Sequence, residues 1–237
     1  MNCVLLDITS NGLQVISTDC HRMYLSKQYD LVGNGEDMQL LLSAESVKQI
    51  AAMKVKNETI NIELLPTETV FLHMATKFDE HTKEYVDVPV MQDVNCFLFN
   101  GLKVGSYSDM KFPNYKVVIP EYKTKMQFNR KQMISSVETV SKAANKTTKQ
   151  VNFHLNGNIQ LSSQDVDFGY ENSLNMPYIS KDFKDTDIAF NGRFMIEALK
   201  TFNSTEISMY SEGIPTKASI FTDGSDNVLL MPLMMNN

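Results

Sequence analysis

The feature that most constrains the fold of this chain is a repeat of its predicted architecture. Residues 38–74 predict a strand, a helix and two strands, and residues 187–222 predict the same elements in the same order and at similar spacing. A predicted hairpin accompanies each copy, because Asn11-Gly12-Leu13-Gln14-Val15 aligns with Asn156-Gly157-Asn158-Ile159-Gln160-Leu161 when one inserted residue is allowed. The two copies share little identity, so the repeat is one of architecture. The chain is therefore predicted to contain two similar domains.

The patterns within each copy predict an α+β fold. Segments in which apolar and polar residues alternate, as in strands, are joined by helices with one apolar face. The helix near Arg130–Asn145 has the clearest apolar stripe. Ser43 and Asn191 are suitable N-cap residues for two further helices. Prolines at positions 113 and 120 mark the passage between the copies. We therefore predict one domain over residues 1–121 and a second over residues 122–237.

The two copies differ at their beginnings and in one insertion. A strand and a helix over residues 124–149 precede the hairpin of the second copy, whereas the first copy has no counterpart, so we expect the first domain to lack its opening strand and helix. Residues 75–93 form a polar excursion that is itself compatible with a hairpin. Residues 96–103 predict the next strand, and the helix at residues 44–53 is expected to bury Val47, Ile50 and Ala51.

Composition places the chain among ordinary globular proteins. It is 43% hydrophobic and 21% charged, and no apolar run approaches the ~20 residues that a membrane helix requires. The first residues lack the basic region of a signal peptide. Cys3, Cys20 and Cys96 have neither a paired arrangement nor a metal-binding spacing, so free thiols are expected. These features predict a cytoplasmic protein that does not engage a membrane.

No motif in the sequence predicts catalysis or a cofactor. Asp19, Cys20 and His21 are adjacent, but in an extended backbone Cys20 and His21 point to opposite sides, and in a turn Asp19 is expected to bind the backbone instead. The remaining histidines lack the i, i+4 spacing of a helical metal site. No glycine-rich phosphate loop occurs. We expect no catalytic residue, no metal and no cofactor.

One segment of this acidic chain is basic. Residues 130–149 contain five basic side chains against Glu138, although the net charge of the whole chain is −6. This asymmetry is typical of a helix that faces phosphates, and it is equally compatible with a solvated helix face. No aromatic residue interleaves with the cluster in the sequence, so base stacking is not predicted.

Three separated segments resemble the bacterial DNA polymerase III beta subunit, the DNA sliding clamp. Thr18-Asp19-Cys20-His21-Arg22-Met23 is similar to the family's T-D-G-H-R-L segment. Phe112-Pro113-Asn114-Tyr115-Lys116-Val117-Val118 is similar to its F-P-D-Y-x-x-V junction, and Leu230-Met231-Pro232-Leu233 to its V-M-P-M/L ending. The resemblance covers nearly the whole chain and corresponds to the last two of three family domains. Cys20 stands where the family usually has glycine.

The resemblance implies a fold and a function. Family domains place antiparallel sheets on the outside of a ring and two helices per domain on the inside, around duplex DNA. The ring is a non-catalytic processivity factor that holds the polymerase on its template, and polymerase and clamp loader bind it through short peptide motifs. Head-to-tail assembly of subunits closes the ring. The implied partners are therefore double-stranded DNA without sequence preference, DNA polymerase, the clamp loader and further copies of the chain.

The resemblance also implies two sets of site residues. The peptide-binding groove would lie where the two domains meet and contain Thr18, Cys20, His21, Arg22, Met23, Pro113, Val118, Phe194, Leu229, Met231 and Leu233. The DNA-facing side chains would be Lys48, Lys54, Arg130, Lys131, Lys142, Lys146, Lys149, Arg193 and Lys200. Within this groove, His21 and Arg22 are expected to hydrogen-bond the bound peptide.

Two alternatives to a conventional clamp follow from the length of the chain. A two-domain clamp could form a six-domain ring as a trimer. A regulatory module derived from a clamp could keep the peptide groove without encircling DNA. Mass in solution and retention of circular DNA distinguish these possibilities.

Overall fold

The computed structural model describes residues 3–30, 37–53, 61–65, 68–99, 101–107, 111–122, 125–182, 185–214 and 216–235. The chain forms two compact units. The first comprises Met1–Val15 and Asp30–Pro113, and the second comprises Ile16–Tyr29 and Asn114–Asn237. The second unit therefore takes a short segment from the N-terminal part of the chain, while the predicted domain boundary at residues 121–122 stays a prediction. Among the described residues, no helix is both long and apolar enough to cross a bilayer.

The predicted α+β class is confirmed. The earlier elements are β1 (Cys3–Thr9), β2 (Gly12–Thr18), β3 (Arg22–Leu25), β4 (Met38–Ser43), α1 (Ala44–Ala52), β5 (Ile62–Leu64), β6 (Glu68–Asp79), β7 (Glu84–Phe99) and β8 (Leu102–Tyr107). The later elements are β9 (Lys125–Asn129), α2 (Arg130–Val140), β10 (Gln150–Asn156), β11 (Asn158–Asp165), β12 (Tyr170–Met176), β13 (Ser180–Lys181), β14 (Thr186–Asn191), α3 (Gly192–Thr201), β15 (Glu206–Tyr210), β16 (Ser219–Thr222) and β17 (Asn227–Leu230). Short 3₁₀ helices cover Tyr115–Val118 and Ser141–Ala143.

The first unit is an antiparallel sheet with one described helix. Its strands lie in the order β1–β4–β8–β7–β5. The core contains Leu6, Leu40, Phe97 and Val104, and Val47 of α1 packs against it. Ile50 packs there as predicted, but Ala51 is exposed, because the buried side of α1 turns instead toward Ser46, whose hydroxyl bonds the Gly105 carbonyl at 3.2 Å.

The polar excursion is a hairpin that continues the sheet. Strand β6 pairs with the first part of β7 from Asp79↔Glu84 to Glu68↔Val94, whereas the last part of β7 pairs with β8 and β5. The hairpin therefore forms a two-stranded arm. Near its turn, the exposed rings of Phe78 and Tyr85 meet edge to face at 5.2 Å. The prediction of one strand over residues 96–103 was wrong, because Gly101 adopts φ of 81° and turns the chain between β7 and β8.

The second unit has two antiparallel sheets and two helices. One sheet has the order β13–β9–β15–β16–β17–β3, and the other has the order β12–β11–β10–β14. Helices α2 and α3 pack on a shared core in which Met133, Val137, Met195 and Leu199 are buried. The predicted helix at residues 130–145 ends earlier, at Val140, and a 3₁₀ turn follows.

A chain of aromatic rings joins the two sheets of the second unit. Phe128 of β9 contacts Phe221 of β16 at 6.5 Å, Phe221 contacts Phe190 of β14 at 5.9 Å, and Phe190 contacts Phe153 of β10 at 5.4 Å. All four rings are at most 1% exposed. Edge-to-face pairs of this kind stabilise a core beyond the burial of their apolar area. Phe190 therefore connects the strands of both sheets.

We predict that Phe190→Ala lowers the free energy of unfolding by about 3–5 kcal/mol, because it leaves a cavity between the sheets. Urea denaturation followed by circular dichroism measures this change. The exposed Phe168→Ala serves as the control and should stay within about 0.5 kcal/mol of the wild type. Equal effects of the two substitutions would contradict the role assigned to Phe190.

Candidate functional site

The segment Thr18–Met23 forms a hydrogen-bonded turn that leads into β3. The Asp19 carboxylate accepts bonds from the backbone N–H of His21 at 3.1 Å and of Arg22 at 3.0 Å. The Thr18 hydroxyl donates to the Arg22 carbonyl at 2.8 Å and accepts from the Cys20 N–H at 3.1 Å. Asp19 thus binds the backbone, as expected for a turn, and is not paired with the His21 ring. Cys20 is exposed and has φ of 71°, a left-handed conformation that glycine adopts without steric cost.

Backbone pairing brings this turn next to the end of the chain. Strand β3 pairs with β17, so that Met23 lies opposite Leu229 and Arg22 opposite Leu230. The ladder continues beyond the strands, since the Met231 N–H donates to the His21 carbonyl at 2.9 Å. Met231 is 40% exposed, although Met23 and Leu229 are buried. An exposed methionine therefore lies directly beside the turn.

The C-terminal segment then crosses to the other sheet of the second unit. The Leu233 N–H donates to the Ala189 carbonyl of β14 at 2.7 Å. Strand β14 leads into α3, whose N-cap Asn191 accepts a bond from the Phe194 N–H at 3.2 Å. Residues 231–233 therefore connect the turn to the strand that precedes Phe194.

Phe194 completes the surface. Its ring stacks with His21 at 5.6 Å between centroids and an interplanar angle of 29°. The Arg22 guanidinium carbon lies 4.7 Å from the centroid of the same ring, within the range of a cation–π contact. Phe194 is partly buried against the core. His21, Arg22 and Phe194 thus form one continuous side-chain contact.

Arg22 also belongs to a row of four side chains with alternating charge. Arg22 Nε lies 3.0 Å from Asp19 Oδ2, and an Arg22 terminal nitrogen lies 2.6 Å from Glu197 Oε2. Glu197 Oε1 in turn lies 2.8 Å from Arg193 Nε. The carboxylates of Asp19 and Glu197 thus hold the Arg22 guanidinium between them.

The pKa values of both carboxyl groups are shifted by these contacts. Partial burial acts to raise the pKa of Asp19, but bonds from the Arg22 and His21 backbone and the Arg22 side chain outweigh it, so the pKa lies below its usual value. Hydrogen bonds from Arg193 and then from Arg22 lower the pKa of Glu197, and Glu197 raises the pKa of Arg193. The charged forms are therefore favoured at neutral pH.

The structure brings together most, but not all, of the residues predicted for the groove. Those joined by the contacts above are Thr18, Cys20, His21, Arg22, Met23, Phe194, Leu229, Met231 and Leu233. Val118 is 57% exposed at the end of a 3₁₀ helix, and Pro113 is exposed in the first unit. Within the second unit, no hydrogen bond or ring contact among the described residues links Val118 to Phe194.

Two residues of this surface were missed by the sequence analysis. Asn191 was recognised only as a helix cap, and Glu197 was not considered. The i, i+4 spacing of Arg193 and Glu197 on a predicted helix is a recognisable ion-pair signal. The contact from Glu197 to Arg22 joins segments 175 positions apart and has no signal in the sequence.

The predicted DNA-facing cations separate into two groups. Three of them have partners: Arg130 Nε donates to the Ser204 carbonyl at 2.7 Å, Lys200 lies 3.2 Å from Glu138, and Arg193 binds Glu197. The exposed lysines without an ion pair to any described residue are Lys48, Lys131, Lys142, Lys146 and Lys149. Lys54 lies outside the described residues.

An aromatic pair accompanies the basic cluster, which the sequence did not predict. The Lys146 ammonium lies 5.4 Å from the centroid of the Phe168 ring, and Phe168 stacks on Tyr170 at 6.2 Å. The chain reversal between β11 and β12 brings these rings to Lys146 from more than 20 positions away. Both rings are more than 60% exposed.

A second polar array lies on the sheet of β10, β11 and β14. His154 binds Asp187 through Nδ1 at 2.9 Å and Ser162 through Nε2 at 3.1 Å, in the order of a serine hydrolase triad. Ser162 lies on β11, which pairs with a neighbouring strand on each side, so the ladders engage the nearby N–H groups and none is directed toward an oxyanion. The array is therefore a cross-strand polar cluster. The described residues include no group of ligands suited to a metal ion.

The family model, the curated relative and the solved structures described below agree on one family. Residues 116–233 match the family model described as DNA polymerase III beta subunit, C-terminal domain. The beta sliding clamp of Synechococcus elongatus is 27% identical over 137 residues, which cover 54% of this chain and 36% of that protein. The chain thus spans little more than a third of this curated relative.

Solved structures show the same fold. The DNA polymerase III beta subunit of Thermotoga maritima is 25% identical with a TM-score of 0.74, covering 99% of this chain and 58% of that chain. A sliding clamp from Pseudomonas aeruginosa bound to griselimycin is 14% identical with a TM-score of 0.74, covering 99% and 57%. The family model places residues 116–233 in the DNA polymerase III beta subunit family, and the fold of the sliding clamps extends along almost the whole chain.

Proposed function

We propose that this chain is a non-catalytic DNA sliding clamp that holds a DNA polymerase on duplex DNA through a peptide-binding surface. The observation that carries the proposal is the joining of the Thr18–Met23 turn, the Met231 segment and Phe194 into one surface of the second unit. The turn and the Met231 segment are two of the three segments through which the sequence resembles the clamp family. The polymerase and the clamp loader are the proposed partners, acting in the cytoplasm.

The chemistry of this surface suits a peptide. Met231 offers a flexible apolar side chain, and the Phe194 ring offers a flat apolar face. His21 is exposed at the rim and has a ring nitrogen available to a peptide backbone. Arg22 is already bound to two carboxylates, so its proposed role is to support the surface. We retain Pro113 and Val118 as proposed groove residues. Both precede the proposed second domain, which covers residues 122–237.

We assign contact with DNA to the exposed lysines of α1, α2 and the segment that follows α2. Their ammonium groups form no ion pair with a described residue and carry no geometry for reading bases. Contacts to phosphates alone would hold the clamp on DNA without fixing its position in the sequence. A clamp that slides requires this kind of contact.

Assembly distinguishes the proposed clamp from its alternatives. A ring of six domains built from the two proposed domains, residues 1–121 and 122–237, requires three copies of the chain. We predict that the clamp stays on nicked circular DNA when loaded and dissociates once the circle is linearised, and a mass of three copies by light scattering would identify the trimeric alternative. Retention that is unchanged after linearisation would contradict encirclement. A monomer that binds peptide without retaining circles would identify the regulatory module.

We predict that Met231→Ala weakens binding of a fluorescein-labelled hexapeptide ending in Leu-Phe by about 1–2 kcal/mol, because the exposed methionine contacts the peptide. Fluorescence polarisation below the melting temperature measures the affinity, and the unlabelled hexapeptide serves as the competitor. Met234→Ala is the matched control, since Met234 is 68% exposed and lies outside the proposed groove. A lower melting temperature with unchanged affinity would mean that Met231 only stabilises the fold.

We predict that replacing Lys142, Lys146 and Lys149 with Glu reduces the slope of log K against log salt by about 0.9 for each lysine that binds a phosphate in the wild type. The reduction should be the same for two unrelated duplexes. Lys217→Glu is the control, because Lys217 is already paired with Glu212 at 2.8 Å. An unchanged slope would make the lysine cluster an ordinary solvated face.

A further inference from the structure

The Arg22 side chain is held on three sides. Its guanidinium binds the carboxylate of Asp19, which belongs to its own turn, and that of Glu197, which lies on α3. The same group lies over the Phe194 ring. Asp19 can fix Arg22 only relative to the turn. The contact to Glu197 is the one that fixes it relative to the helix that carries Phe194.

Position along α3 explains why Glu197 can perform this task. Glu197 follows Phe194 by three residues, so the two side chains lie on neighbouring positions of the same helix face. One carboxylate oxygen takes Arg22 at 2.6 Å and the other takes Arg193 at 2.8 Å. Both oxygens are therefore engaged, and the carboxylate has a defined orientation beside the ring. A planar guanidinium held this way can stack flat on an aromatic face, whereas a lysine ammonium has no plane to stack.

We propose that Glu197 is a positioning residue for the peptide-binding surface: it holds the Arg22 guanidinium over Phe194 and thereby fixes the orientation of that ring. This inference rests on the proposed peptide-binding function. Glu197 itself need not contact the peptide. Without its charge, Arg22 stays bound to Asp19 but is no longer connected to α3, and Phe194 and His21 then sample several arrangements. Ordering them on binding would lower the affinity.

The test is a double-mutant cycle between Glu197→Gln and Arg22→Lys, with the labelled Leu-Phe hexapeptide as probe. Each single substitution should weaken binding roughly three- to tenfold, because each breaks the same contact. The double substitution should be scarcely weaker than either single one. Independent effects that multiply would overturn the proposal, as would unchanged affinity in Glu197→Gln. Glu171→Gln, on the exposed strand β12, is the control and should bind like the wild type.

A measurement without ligand separates this inference from the proposed function. 4-Fluorophenylalanine at position 194 reports the environment of the ring through its ¹⁹F resonance. Glu197→Gln and Arg22→Lys should shift or broaden this resonance in the same way, whereas Glu171→Gln should leave it unchanged. An identical resonance in the wild type and Glu197→Gln would overturn the positioning role. If the wild type bound no peptide while the resonance shifted, the peptide-binding function would fail and the hold of Glu197 on the ring would stand.

Discussion

The ladder between β3 and β17 is the constraint on which the candidate site depends. It pairs Arg22–Leu25 with Asn227–Leu230, more than 200 positions apart in the chain. Both ends of the ladder are fixed by further bonds: Met231 donates to the His21 carbonyl at one end, and at the other the Lys27 N–H donates to Asp226 at 2.8 Å. Backbone groups buried in a sheet must be paired, so this register is strongly specified. The register of this ladder determines where every side chain of the Thr18–Met23 turn lies.

The aromatic core fixes the position of the other half of the site, which contains Phe194. Phe190 is locked between Phe153 and Phe221, and the next residue, Asn191, caps α3. Phe194 is the third residue of α3 and follows a fully buried ring by four positions. The ladder fixes the turn, and the core fixes Phe194. The contact between Arg22 and Glu197 therefore restricts only the rotation of these two side chains. That is a small entropic cost for an ion pair that is partly exposed to solvent.

Sequence patterns predicted features whose causes are local and missed those whose causes are distant. Ser43 and Asn191 were identified as caps because a cap needs only the next three residues, and both accept the expected bonds at 3.0 and 3.2 Å. The exposure of Ala51 and the meeting of Phe168 with Lys146 depend on elements that other parts of the chain bring into place. The groove residues were taken from a family resemblance, which carries tertiary information that periodicity lacks. Glu197 belongs to no quoted motif, so neither route found it.

Arginine and lysine side chains have different surroundings in this chain, and the difference bears directly on the proposed contact with DNA. The sequence has three arginines, Arg22, Arg130 and Arg193, and each is engaged within the second unit by a carboxylate or a carbonyl oxygen. Arginine is the side chain that recognises guanine by paired hydrogen bonds, so its use in internal contacts removes the usual means of reading sequence. Among the described residues, the cations of the proposed DNA-facing set that are exposed and form no ion pair are lysines, which act as point charges toward phosphates. A protein that must move along DNA without stopping at particular sequences is served by this arrangement, since attraction to phosphates is nearly uniform along the duplex.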